Sequence, residues 1–248
     1  MRIAVLSDIH GNAIALEAVE THARARGCDL FFDLGDTVSG PLRPLETFDR
    51  IAALKPVSIA GNHERQLLTL ADSDLNTSDA YALKCLGRER VASFKEKPAS
   101  RRIEDVLLLH GSPRSDLEYF LEDIVDGRPV ARRKDEVAAL AADIDPDVTL
   151  MLCGHTHIQR STQLDNGQLI VNPGSVGLPA WADRNPANFH RMDAGSIHAR
   201  YAIINKREGR WSVEFHLVDY DWKSAAQDAE SLGRSDWATA IKTGYAAA

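Results

Sequence analysis

Within the first sixty residues, three short apolar runs, at 3–6, 30–34 and 57–60, alternate with two stretches of helical periodicity, at 12–26 and 45–54. A run of four or five apolar residues without alternation marks a strand covered on both faces. Between the first two runs Ile14, Leu16, Ala18, Val19 and Ala23 recur at helical spacing, and Gly27 stops the helix. Strand, helix, strand, helix, strand implies parallel strands joined by helices that pack back on the sheet. The first expectation is therefore an α/β protein.

The rest of the chain is read the same way. Helices are predicted over 64–71, 78–86 and 88–95, interrupted at Gly87 and ended before Pro98. A strand is predicted over 101–109, a helix over 130–142 and a strand over 148–153. Segments 159–164 and 168–172 flank Asp165-Asn166-Gly167, and 198–205 and 211–218 flank Glu208-Gly209, so each pair reads as a hairpin. Residues 177–197 carry Gly, Pro, Asn and Asp with little periodicity and read as a long substrate-side loop. From about Trp222 the pattern is helical. No repeat, low-complexity run or linker divides residues 1–248, and a single domain is expected.

Composition excludes several classes. The 29 Lys and Arg against 36 Asp and Glu leave a net charge of -7, which opposes general nucleic-acid binding by charge. No apolar run approaches the roughly 20 residues of a membrane span. The four apolar residues after Arg2 fall short of the about 7–15 of a signal-peptide core. Cys28, Cys85 and Cys153 form no Cys-x-x-Cys pair and read as reduced thiols. A cytoplasmic protein is expected, and nothing in the sequence opposes a homo-oligomer.

The chemistry lies where the strands end. Polar clusters follow the predicted strands: Asp8-Ile9-His10, Gly35-Asp36, Gly61-Asn62-His63-Glu64, His110-Gly111 and Gly154-His155-Thr156-His157. Ligands of open α/β sheets bind beyond the carboxyl ends of strands, so these clusters should meet in one cleft. Asp8, His10, Asp36, Asn62, His110, His155 and His157 are all side chains of metal-ligand type. Imidazole and carboxylate without thiolate suit Mn, Fe, Zn, Co or Ni better than Ca or Mg. So many ligands exceed one tetrahedral site and fit two ions sharing a carboxylate, the arrangement that serves phosphoester hydrolysis.

In this order, Asp-x-His, Gly-Asp, Gly-Asn-His, His-Gly and Gly-His-x-His resemble the signature of calcineurin-like metallophosphoesterases. The likeness extends through Asn172-Pro173-Gly174-Ser175-Val176-Gly177, which is similar to the small bacterial phosphodiesterase branch. The resemblance implies a sandwich of two mixed β-sheets flanked by helices. It implies a first metal on Asp8, His10 and His157, a second on Asn62, His110 and His155, and Asp36 bridging them. The implied nucleophile is a hydroxide shared by both ions, and the implied general acid is His63, with Asn62 also touching the phosphate. Manganese is the favoured metal and a small, nucleotide-like phosphodiester the favoured substrate. Gly35 and Gly61 are expected to let the backbone pass close to the metals.

The resemblance has gaps. Where the Ser/Thr protein phosphatase branch reads Gly-Asp-x-Val-Asp-Arg-Gly, this chain reads Gly35-Asp36-Thr37-Val38-Ser39-Gly40-Pro41. Ser39 stands for the Asp that supports the catalytic His, and Gly40 for the Arg that grips phosphate. Protein phosphatase or phosphomonoesterase activity is thus the second expectation, and an inactive scaffold of the same fold the third. Glu64 is either a carboxylate orienting His63 or an acid in the first turn of a helix. Arg114 and Trp181 are candidate substrate contacts.

Overall fold

The computed structural model describes residues 2–247. Its first sheet orders five strands: β14 (Arg210–Val218), β13 (Ala199–Arg207), β1 (Arg2–Leu6), β2 (Leu30–Asp33) and β3 (Val57–Ser58). β1 and β2 pair parallel with Ile3 opposite Leu30, β3 continues parallel, and β13 runs antiparallel to β1 with Val5 opposite Ala202. The second sheet orders β4 (Arg101–Ile103), β5 (Val106–Leu108), β8 (Leu150–Leu152), β10 (Leu169–Pro173) and β9 (Gln159–Gln163). Its central strands β5, β8 and β10 are parallel. Two more hairpins stand outside the sheets, β6 (Glu122–Val125) with β7 (Arg128–Ala131) and β11 (Ala180–Asp183) with β12 (His190–Asp193).

The two sheets pack face to face, and the period of two along β1 shows how. Ile3 and Val5 join Phe32, Leu34, Val106, Leu108, Leu150 and Leu152 in the core between the sheets. Ala4 and Leu6, on the opposite face, pack against helices α1 (Ala13–Ala25), α6 (Trp222–Ser231) and α7 (Ser235–Thr243). Helix α5 (Lys134–Leu140) covers the outer face of the second sheet through Val137 and Leu140, beside Met151 and Ile170. The result is a four-layer α-β-β-α sandwich, which explains why β1, β2 and β8 are apolar on both faces. Helices α2 (Pro44–Leu54), α3 (Asn62–Thr69) and α4 (Thr77–Ala92) fill one end around Leu67, Leu86 and Phe94. No helix among the described residues is long and apolar enough to cross a membrane.

Three sequence expectations need correction. The strand predicted over 101–109 is the hairpin β4–β5, turned at Glu104 with φ of 52°. The helix predicted over 130–142 is shorter, because Val130 belongs to β7, paired with Asp123 across a turn at Asp126-Gly127. Both turn residues have positive φ, 50° and 71°, as that dipeptide favours in a two-residue hairpin. The long loop at 177–197 holds the β11–β12 hairpin, with Trp181 opposite Met192. The predicted break at Gly87 is a kink inside α4, where φ is 74°.

Candidate active site

Each polar cluster lies just past a strand of one of the two sheets, and backbone hydrogen bonds carry the ladders into the loops. Asp8 N donates to Gly35 O at 3.1 Å and His10 N to Asp36 O at 2.9 Å, so the loops after β1 and β2 are registered on each other. Asn172, at the end of β10, donates to Gly154 O at 2.8 Å and to Thr156 Oγ1 at 2.9 Å, fixing the loop that carries His155 and His157. Asp8, His10, Asp36, His155 and His157 all adopt positive φ, at 54°, 52°, 55°, 68° and 64°. For non-glycine residues this costs of order 1–3 kcal/mol each. The other non-glycine residues with positive φ among those described, Lys55, Glu104, Asp126 and Glu208, close a helix or a hairpin. Backbone strain with no turn to explain it is thus confined to this cluster.

The loops bring together two triads. Asp8, His10 and His157 form one, and Asp36, His110 and His155 the other, each with its ligand atoms within 4.8 Å of one another. Asn62 Oδ1 lies 3.0 Å from His110 Nε2 and joins the second. Gly61 makes room for Asp36: a Cβ there would stand 2.3 Å from Asp36 Oδ1. Asp36 Oδ1 accepts from His63 N at 2.9 Å, while its Oδ2 lies 3.2 Å from His110 Nε2.

The protonation pattern shows what the triads can hold. His10 Nδ1 donates to Ser39 O at 2.8 Å, His157 Nδ1 to Leu178 O at 2.7 Å and His110 Nδ1 to Leu34 O at 2.8 Å. Fixing the proton on Nδ1 turns each Nε2 lone pair inward. His10 Nε2 then faces His157 Nε2 at 3.1 Å, acceptor against acceptor. His110 Nε2 faces the Asn62 and Asp36 oxygens in the same way. Asp8 Oδ1, fully buried, has no hydrogen-bond partner and lies 3.4 Å from His157 Nε2. Buried acceptors turned on one another are costly unless a cation stands among them, so these residues fit metal ions.

Where no metal is bound, protons do part of that work. Burial opposes the imidazolium of His110, but the Asp36 carboxylate overrides it and raises the ring to about 10. His10 is lowered to about 4 by burial and by His157, and His155 to about 3 by burial and by His110. Burial works against the Asp8 and Asp36 carboxylates, yet the neighbouring histidines hold both below the usual carboxylate range.

His63, in the first turn of α3, stands beside the triads with its ring 5.4 Å from that of His10 and its Nε2 3.9 Å from Asp36 Oδ2. Its Nδ1 lies 2.7 Å from Oδ1 of Asp79, a fully buried residue in the first turn of α4. Asp79 Oδ2 in turn accepts from Asn76 Nδ2 at 2.6 Å. Burial disfavours the charged ring, but Asp36 and Asp79 raise His63 to about 9. The orienting carboxylate is therefore Asp79. Glu64 points elsewhere, accepting from the backbone N–H groups of Asp36, Thr37 and Gly61 at 2.8, 2.8 and 2.9 Å. It holds the Asp36 loop against the start of α3.

A cavity of about 550 Å³ opens over His10, Asp36, Asn62, His63, His155 and His157. Trp181 lines it, with ring centroids 5.9 Å from His157 and 6.3 Å from His155. Arg114 is turned away, its guanidinium donating to Ala139 O at 2.8 Å in α5. Sequence reasoning missed Asp79, Arg234 and Trp237, the last two lining the cavity from the turn before α7 and from α7 itself. The Asp79 signal was an Asn76-x-x-Asp79 helix start, which reads as capping alone.

A family model described as the calcineurin-like phosphoesterase superfamily domain matches residues 1–195. An uncharacterized protein of Methanocaldococcus jannaschii is 27% identical over 250 residues, covering 95% of this chain and 94% of that protein. A metallophosphoesterase from Sphaerobacter thermophilus superposes with a TM-score of 0.75 at 24% identity, covering 98% of this chain and 100% of that one. A hypothetical protein from Pyrococcus horikoshii gives a TM-score of 0.76 at 17% identity, covering 99% of each chain. At these identities the two solved structures speak for the fold.

Proposed function

The chain belongs to the calcineurin-like phosphoesterase superfamily and is a metal-dependent phosphoesterase, and from that premise we propose that it hydrolyses a small, nucleotide-like phosphodiester in the cytoplasm with two divalent transition metals. Asp8, His10 and His157 would hold one ion, Asn62, His110 and His155 would hold the other, and Asp36 would serve both. The nitrogen and oxygen set admits Mn, Fe, Zn, Co or Ni, and manganese is the occupant proposed here on the family likeness. When bound, the pair supplies Lewis acidity to the phosphoryl oxygens and to the attacking water. The observation that carries this reading is the inward-facing set of buried acceptors, His10 Nε2 against His157 Nε2 above all.

The protein's own residues supply the rest. His63 is the general acid, holding its proton at Nε2 for the leaving oxygen while Nδ1 donates to Asp79. Asn62 orients the phosphoryl group from the start of α3. Outside the metal ligands, Arg184 and Arg234 share the cavity walls with Asp183 and Asp236, so the walls add little cationic charge beyond that of the metals for the second negative charge of a monoester, and a diester is the favoured substrate.

The test is turnover of bis(p-nitrophenyl) phosphate by metal-stripped protein with each divalent metal added back, beside p-nitrophenyl phosphate. Diester hydrolysis restored by manganese or another transition metal is the expected result. A preference for the monoester would overturn the diester assignment. No turnover of either substrate by protein carrying two metals would overturn the catalytic reading of the site.

A further inference from the structure

The family match ends at residue 195, yet part of the cavity wall comes from beyond it. Trp237 of α7 is buried, with its ring edge-on to that of His10 at 5.8 Å. It is wedged against the loop after Asp36, because a Cβ at Gly40 would lie 2.9 Å from its Cη2 and Cζ3. The Arg234 guanidinium stands over the indole, 5.5 Å from the ring centroid. Its Nη1 donates to Ser78 Oγ at 3.0 Å, and its Nε and Nη2 donate to Asp236 at 2.9 and 2.8 Å. Those bonds tie α7 to the start of α4, next to Asp79.

Trp181 contributes to the same cavity from β11. It is braced by His190 at 5.6 Å and by Tyr119 at 6.4 Å between ring centroids, and Tyr119 Oη lies 2.8 Å from His190 Nε2. Leu178, Ala180 and Ala246 add small apolar surface near the two indoles. Gln66 of α3, Asn76 just before α4 and Ser78 of α4 add uncharged polar lining, and Asp183, Arg184, Arg234 and Asp236 add charged lining from the segments that carry the indoles. The cavity thus offers two indoles set among charged side chains in and beside β11 and α7, and uncharged polar surface from α3 and the start of α4. Its volume of about 550 Å³ suits a small molecule.

We propose that Trp181 and Trp237 form a binding wall for a planar aromatic arm of the substrate, so that the enzyme selects nucleoside phosphodiesters over those with aliphatic arms. This rests on the phosphodiesterase reading above. The indoles are held in place before the ligand arrives, Trp237 by Arg234 and the Gly40 loop and Trp181 by His190 and Tyr119, so aromatic contact is gained with little ordering of the protein. A base on an aromatic side chain is worth about 5- to 150-fold in affinity. The polar lining receives the other arm, and the scissile phosphoryl group sits between them over the triads.

Binding tests the wall apart from catalysis. Metal-loaded protein is titrated calorimetrically with adenosine 5′-monophosphate and with ribose 5-phosphate, which keeps sugar and phosphate but lacks the base. The expected result is at least about tenfold tighter binding of the nucleotide, with the ratio collapsing toward one in Trp181→Leu and in Trp237→Leu. Trp237 is buried, so its variant counts only if it melts cooperatively; Trp181→Leu, in a half-exposed hairpin, otherwise decides. Equal affinity for the two ligands in the wild type, or a ratio untouched by Trp181→Leu, overturns the proposal. Hydrolysis of bis(p-nitrophenyl) phosphate reports separately on the phosphodiesterase reading.

Discussion

Replacing Asp79 by Asn asks whether His63 works as an acid and whether α4 is what holds it. The substitution keeps the shape of a side chain that is fully buried and removes its charge. The bond from His63 Nδ1, at 2.7 Å, then changes from charge-assisted to neutral. Hydrogen bonds to charged groups contribute about 1.5–3 kcal/mol and neutral ones about 0.5–1.5. The difference is about 1–1.5 kcal/mol, or roughly tenfold. A second penalty follows from the geometry. If the new Oδ1 accepts from His63, the new amide Nδ2 meets Asn76 Nδ2, donor against donor, where Asp79 Oδ2 now accepts at 2.6 Å. Asn76 cannot flip to relieve this, because its Oδ1 already accepts from Ser78 N and Asp79 N at 2.9 and 3.0 Å.

Turnover of diesters with alkyl leaving groups should therefore fall by about 10- to 100-fold, no more than the roughly 10²–10⁴-fold that general acid help supplies in full. A p-nitrophenolate leaving group needs little protonation, so turnover of bis(p-nitrophenyl) phosphate should fall far less. The sign of the pH effect is fixed as well. Asp79 stabilises the charged ring, so its loss lowers the His63 pKa, and the alkaline limb for alkyl substrates should move down by about one pH unit. Metal content, measured by elemental analysis, should stay at the wild-type level. An equal fall on both leaving groups with an unmoved pH limb would mean a structural role and refute this reasoning.

Further outcomes follow from the same geometry. His63→Asn should retain metal and lose about 10²–10⁴-fold in turnover of alkyl diesters, measured beside the p-nitrophenyl substrate. Asp36→Asn should weaken both metals together, by more than the about 10- to 100-fold lost when a supporting partner is removed; titration showing one site intact would contradict a bridging role. Gly61→Ala should give the same metal phenotype, since its Cβ would stand 2.3 Å from Asp36 Oδ1. Metal-stripped protein should be most stable near pH 6.5. Raised to about 10 and about 9, His110 and His63 stabilise the fold fully below the ordinary 6.5 and lose that contribution as pH climbs through 9 and 10. Lowered to about 4 and about 3, His10 and His155 contribute above 6.5 and lose it as pH falls toward 3. A thermal midpoint flat from pH 6.5 to 9 would count against the shifts of His63 and His110.

The fold was legible wherever a local pattern was decisive. The apolar runs of β1, β2 and β8 show their burial on both faces, and Glu208-Gly209 marks the β13–β14 turn. Asp126-Gly127 carries an equally good turn signal, yet the helix predicted over 130–142 starts four residues early, because Val130 pairs in β7 and the helix begins at Lys134. The turn at Glu104-Asp105 carries no glycine or proline, so β4 and β5 read as one strand. The triads were legible for a topological reason. Parallel strands place all their carboxyl ends at one edge, so residues distant in sequence meet there without any knowledge of side-chain packing.

Contacts across helices leave no such trace. The sequence suggested that the support for His63 had been lost at Ser39, because the contact was sought at a position. The structure supplies the contact from Asp79, 16 residues beyond His63, through the packing of α4 on α3. Ser39 is left to accept a hydrogen bond from His10 through its backbone carbonyl, a task any residue could perform. Gly40 fits the same account. No larger side chain is compatible with His10 O at 2.1 Å and the Trp237 ring at 2.9 Å from a Cβ there. A cation at that position would displace the indole that walls the cavity, and the cation that does line this wall, Arg234, arrives from the turn before α7. A motif read along the chain thus reports which residue occupies a place, while the chemistry depends on which atom reaches it.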